Sequence, residues 1–351
     1  MSFRLTLRPV ALALSLGLAG LAPSAHALNI VLRDISSTPM TAEQLGAFQQ
    51  AANYWSSKLT DNVTVYIDVG FNSLGANILG QASSSASDVS YSTLRSALVN
   101  DAKSATDATA VSHLQTGSSL SFYATQGDLS TRLDNDNSAN NRLLSVNTAN
   151  LKALGLTTNT TANNPDATII FATGFASSFA YSRVNGQVPA NKTDFITVAE
   201  HEIGHALGFV SGVDSIDECL AANNSCKNSF ETEAWYSPLD LFRYSAAGKL
   251  DVTVGGTRYF SIDGGATAIE SFSTGAYNGN GWQASHFGTS VITLMRPFVG
   301  DGQSYDATTS DLLAFDAIGW DMAAAVPEPA SYALLLGGLA ALGLKRRRQA
   351  A

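Results

Sequence analysis

Residues 193–209 read TDFITVAEHEIGHALGF, and their periodicity decides what kind of domain surrounds them. At about 100° per residue, Ala199, Ile203, Leu207 and Val210 all fall within roughly 60° of Ile196. The stretch therefore predicts a helix with one continuous apolar stripe turned to a core. His201 and His205 come out on the opposite side, one turn apart, so both imidazoles can reach one ion at about 2 Å. Glu202 is turned by about 100° from His201, beside such an ion and not on it. A base acting on metal-held water belongs there. A solvated histidine pair is the alternative, but its placement opposite the stripe favours a metal site.

Upstream, LNIVLRD (28–34) reads as a strand, and a helix follows from Thr41, with Thr41 and Gln44 spaced as a capping box. Leu45, Phe48, Ala52, Trp55 and Leu59 recur at helical spacing and predict a core-facing side. Val63, Val65, Ile67 and Val69 then alternate with polar neighbours, as in a half-buried strand. Further helices are expected over 91–102 and over 141–154 (NRLLSVNTANLKAL), and a buried strand over 166–173 (DATIIFAT). Asp134 and Asp136 raise a calcium loop, yet Ala139 stands at the turn-glycine position and Ser145 at that of the closing glutamate, so a solvated loop is expected. Beyond residue 210 short strands and turns dominate, with a turn at Asp263-Gly264-Gly265 and a closing helix over 310–321. The expected fold class is α/β (α+β).

Both ends carry export signals. Arg4 and Arg8, the apolar run 10–22 and AHA ending at Ala27 make a secretory signal peptide over 1–27, its apolar core too short to span a bilayer. From residue 323 the chain runs AAAVPEPASYALLLGGLAALGLKRRRQAA: Pro327-Glu328-Pro329, an apolar stretch, then Lys345, Arg346, Arg347 and Arg348. This order resembles the PEP-CTERM sorting signal of Gram-negative bacteria. The resemblance implies cleavage near the triplet by an exosortase-type sorting enzyme, transient inner-membrane contact through the tail, and delivery via the periplasm to the cell surface or outside. The basic cluster would hold the tail on the cytoplasmic side. A plain C-terminal anchor is the alternative.

Without its ends the chain loses six of 20 basic residues and one of 29 acidic ones, which leaves a net charge near −14 and argues against nucleic acid or anionic lipid as a partner. In an exported chain Cys219 and Cys226 read as a disulfide closing a small loop.

HEIGHALGF resembles the active-site helix of zinc metallopeptidases of the metzincin group, with Gly208 at the glycine where that helix ends. That group places a further histidine three residues on, and here the position holds Ser211. The remaining candidates are His113, in a polar stretch, and His286, in GWQASHFGTSVITLMRPF with Met295 shortly after. The late pair is similar to the leishmanolysin family of metzincins, where an inserted subdomain separates the helix from its last histidine. The resemblance implies Zn2+ held by His201, His205 and His286, Met295 as the Met-turn residue beneath the site, and a zincin/metzincin-like domain with a twisted mixed sheet and an irregular β-rich insert. It implies an exported endopeptidase acting on a protein or peptide substrate through metal-activated water, with Glu202 as general base. Asp214, Glu231 and Glu233 stay open as oxygen ligands; an ordinary surface histidine at 286 and a core methionine at 295 are the plain alternatives. No tyrosine follows Met295 closely to help an oxyanion.

The expected organisation is a leader over 1–27, a metallopeptidase-like domain over 28–322 (28–210 and 211–322 as subdomains) and a sorting signal over 323–351. SPLDLFRYS (237–245) and DLLAFDAIGWD (311–321) also resemble HExxH proteases with such tails; Asp240 and Asp316 within them read as structural contacts. The competing expectation is an inactive metzincin-like matrix or binding protein sorted by the same tail.

Overall fold

The computed structural model describes residues 28–323, apart from residue 77 and residues 222–224. The leader and the tail from residue 324 lie outside the described residues.

Strand Asn29–Asp34 pairs in parallel with Thr64–Asn72, which pairs in parallel with Ala167–Ala172. Gly80–Ser84 adds antiparallel to the 167–172 strand and forms the edge of this mixed sheet. Parallel neighbours need a crossover, and helix Ala42–Lys58 supplies the first one. It starts at Thr41, where the Thr41 and Gln44 side chains cap each other's backbone N–H groups. Phe48, Ala52, Trp55 and Leu59 are buried as the spacing predicts, whereas Leu45 is 40% exposed because it stands in the first turn at the flank of the stripe.

Helix Phe195–Ala206 lies between the 42–58 helix and the 80–84 edge strand. Trp55 Nε1 donates to the Glu200 carbonyl at 2.7 Å, and Phe195 packs among Phe48 and Phe171 with ring centroids 4.9 and 4.5 Å away. Two helix-level expectations need correction. Within 141–154 the chain forms strand Leu143–Asn147, paired antiparallel with Ala86–Ser90, and only then a short helix, Thr148–Ala153. Leu144 and Val146 bury at a period of two, a pattern too short to stand out beside the neighbouring leucines. Helix Ala105–His113 was not foreseen, because Ala110 is its one fully buried apolar residue.

Downstream, strands Arg243–Ala246, Lys249–Leu250, Arg258–Phe260 and Glu270–Phe272 make a small antiparallel sheet. Gly264 and Gly265, at φ 71° and 84°, make the expected turn. Helix Thr309–Ala317 follows, and beyond it Trp320 donates from Nε1 to the Leu207 carbonyl at 2.8 Å. The class is therefore mixed α and β, with one continuous apolar cluster running from Leu28 to Trp320.

Candidate metal centre

Asp194 caps the 195–206 helix by accepting from the Thr197 N–H at 3.2 Å, and Arg183 pairs with its carboxylate at 2.6 Å. Ile196, Ala199, Ile203 and Leu207 are fully buried, while His201 and His205 stay half-buried on the far side. The helix stops at Gly208, whose φ of +117° lies in the left-handed region that side chains disfavour. That turn brings the Phe209 carbonyl back to His205 Nδ1 at 2.7 Å.

The structure brings His286 to the pair. The Nε2 atoms of His201 and His205 stand 3.0 Å apart, and His286 Nε2 lies 3.2 Å from the first and 3.3 Å from the second. Each Nδ1 faces a backbone carbonyl: Leu294 at 2.8 Å, Phe209 at 2.7 Å and Gln283 at 3.1 Å. A carbonyl only accepts, so each ring keeps its proton on Nδ1 and turns a bare Nε2 lone pair inward. Burial, and after it the neighbouring rings, holds all three imidazoles down at about 3, so none carries a second proton near neutrality. Three lone pairs converging on one point repel unless a cation lies among them. Tetrahedral zinc, bound by imidazole at ~2.0–2.1 Å, requires nitrogens about 3.3 Å apart. The donor set fits that ion.

The surroundings fix this arrangement. Met295 is fully buried against the helix backbone between the two histidines: a Cβ on Gly204 would stand 2.6 Å from its Sδ. Asp311 holds the Met295 turn by accepting from the N–H groups of Leu294 (3.0 Å) and Met295 (3.1 Å) while also capping its own helix from Thr308. Ser211, which replaces the expected short-range histidine, donates to Asp240 at 2.6 Å, and Asp240 also accepts from the Gly212 N–H at 2.8 Å. Arg243, wholly buried, lies 3.5 Å from Asp240 and donates to the carbonyls of Ser273 (3.1 Å) and Ala284 (2.5 Å).

Glu202 is buried on the side of the helix that faces the edge strand. Its Oε1 lies 3.4 Å from where a Cβ on Gly80 would be, and its carboxylate accepts from the Ala82 backbone. Burial pushes this carboxyl up to about 8, and the Ala82 bond works against the shift. It is outside the group of ligand atoms formed by the three histidines.

The other oxygen candidates are engaged elsewhere. Asp214 accepts from Ala284 and Ser285, and Glu231 pairs with Arg132 and Ser138, while Glu233 is exposed. His113 is exposed at the end of its helix, with Nδ1 on the Thr109 carbonyl at 2.8 Å. Asp134, Asp136 and Glu231 form a second acidic group, but Arg132 lies among them and supplies the counter-charge. Cys219 and Cys226 are disulfide-bonded. Asp240 is a structural contact, as expected, and so is Asp316, which accepts from Ser104 at 2.8 Å. Asp311 was missed although Thr308-x-x-Asp311 is a legible capping pattern; Arg243 left no signal.

Comparison with known proteins bears on one end of the chain. The PEP-CTERM protein-sorting motif matches residues 325–349. It marks a secreted protein, recognised by an exosortase-type sorting enzyme and sorted to the cell envelope in Gram-negative bacteria. No curated protein and no solved structure matches the chain. Among the described residues no helix is long and apolar enough to cross a membrane.

Proposed function

We propose that the chain is an exported zinc endopeptidase of the metzincin type, in which His201, His205 and His286 hold Zn2+ and Glu202 is the general base. The convergence of three proton-free Nε2 atoms within 3.3 Å of one another carries this reading. Zinc, when bound, supplies a Lewis acid that lowers the pKa of water to about 7 and polarises a carbonyl. A cation held by the three imidazoles would favour the ionised form of Glu202 against the effect of burial, and in that form Glu202 takes the proton of the attacking water and passes it to the leaving nitrogen. The 80–84 strand is the sheet edge beside Glu202, where an extended peptide can add as a further strand through the outward backbone groups other than the Ala82 N–H, which Glu202 takes; its Gln81 and Ser83 side chains are more open than the residue between them. That edge favours an unfolded or loop segment of a protein as substrate. The sorting motif supports action outside the cytoplasm.

Glu202→Gln tests the proposal. Casein cleavage should fall by at least ~100-fold, the lower end of general-base contributions, with zinc content and melting temperature unchanged. Cleavage at the wild-type rate would contradict the assignment. Wild-type protein that takes up zinc but cleaves no protein would support the matrix or binding reading instead.

A further inference from the structure

We propose that the short helix Val213–Ala221 positions the third imidazole, through Asp214 and Asp217; this inference rests on the metal reading above. The two carboxylates stand three residues apart on one helix face, and each accepts from a different part of the loop that ends in His286. Asp217, buried, takes the backbone N–H groups of Tyr277 and Asn278, both at 2.8 Å, and the Asn278 side-chain amide at 2.9 Å. Asp214 takes the N–H groups of Ala284 at 2.5 Å and Ser285 at 3.0 Å, together with the Ser285 hydroxyl.

The inner side of the loop is tied to the small sheet. Gly275 N–H donates to the Trp282 carbonyl and Ser273 N–H to the His286 carbonyl, each at 2.9 Å. The loop is thus gripped at its start and its end by the helix, and at its base by the strand. His286 Nδ1 in turn donates to Gln283, so the ring takes its direction from the residues Asp214 holds in place.

The grip also sets the spacing between the ligands. The 213–221 helix begins just past the Gly208 turn, and Ser211 N–H donates to Ser285 Oγ at 2.8 Å. One Ser285 hydroxyl therefore accepts from the chain leaving His205 and donates to Asp214, next to His286. At the other end, the disulfide to Cys226 fastens Cys219. Asp217 touches no ligand, yet it fixes the loop that delivers one. It is a positioning residue.

Zinc affinity, read by competition with a chromophoric chelator, tests this in four proteins: wild type, Asp217→Asn, His286→Ala and the double variant. Asp217→Asn should bind zinc ~10–100-fold more weakly than wild type, the range for residues that orient metal ligands, while the zinc-free protein still melts cooperatively. In the His286→Ala background it should change nothing further, because the path runs through that ring. Unchanged affinity in Asp217→Asn, or an equal loss with and without His286, overturns the positioning role. Should Asp217→Asn not fold, Asn278→Ala removes one donor and leaves the charge; it should weaken binding severalfold when His286 is present, and unchanged affinity there again overturns the role. Wild type that binds no zinc defeats the metal reading and this inference together. Wild type that binds, with a variant that matches it, defeats only the inference.

Discussion

Gly204→Ala sets two effects of similar size against each other. Gly204 lies in the helix between His201 and His205, and a Cβ there would stand 2.6 Å from Met295 Sδ, 3.1 Å from its Cε and 3.3 Å from Trp55 Cζ2. Alanine favours a helix over glycine by about 1 kcal/mol. Overpacking a filled core costs ~1–3 kcal/mol. The neighbours have little room to yield: Met295 N–H is held by Asp311, its carbonyl accepts from Phe287 at 2.8 Å, and Trp55 is bonded to Glu200. The net change is a loss of about 0–2 kcal/mol, at ~2–4 °C of melting temperature per kcal/mol for a large domain. The sharper test is the coupling between the two residues. Met295→Ala alone should cost ~2–5 kcal/mol as a core cavity. In that background the two Met295 contacts are gone and only Trp55 Cζ2, 3.3 Å away, remains, so Gly204→Ala should cost less than in wild type by at least about 1 kcal/mol. Urea unfolding of zinc-free protein measures both steps without the contribution of metal binding. An equal cost of Gly204→Ala in both backgrounds would refute the contact between helix and methionine.

Asp311→Ala strips a partner from the buried N–H groups of Leu294 and Met295 and from the part-buried N–H of Thr308, so at ~1–3 kcal/mol for each buried group it should cost at least about 2 kcal/mol in urea unfolding. A pH effect is expected away from the metal centre. Burial, and after it the Asp321 charge, pushes Asp61 up to about 7 and Asp101 up to about 6. A carboxyl whose folded value lies above its unfolded value of ~3.9 favours the fold when protonated, so this stabilisation is complete below about pH 4 and is lost as pH rises through 7. Asp61→Asn removes the charge and keeps an acceptor for the Asp321 N–H. It should melt a few degrees above wild type at pH 8, with the difference closing towards pH 5; a pH-independent difference would count against the charge as its cause.

What the sequence discloses depends on how local each signal is. The 29–34 strand, the 42–58 helix and the 64–72 strand could be read because each repeats its apolar pattern over several turns or pairs. The 143–147 strand could not, since only Leu144 and Val146 alternate, and its pairing partner lies more than fifty residues upstream. The first two imidazoles are visible as one helical turn. The third is not local at all: residues 272–273 tie it in, with Phe272 bridged to Phe287 and Ser273 N–H bonded to the His286 carbonyl. Only the family resemblance pointed to it. Carboxylates near the site were ambiguous for a different reason. Asp214 could be a ligand or a backbone acceptor in one dimension, and the difference appears only when its donors, Ala284 and Ser285, arrive from another part of the chain. Ser211 was legible as a missing ligand and illegible as a link between Asp240 and Ser285.

Anomalous diffraction at the zinc edge, from crystals of the full folded domain grown with zinc, bears most directly on the three-imidazole site. The expected map has one strong peak bonded to Nε2 of His201, His205 and His286. A map with no peak among those nitrogens, or with zinc only at the Asp134, Asp136 and Glu231 group, would contradict it.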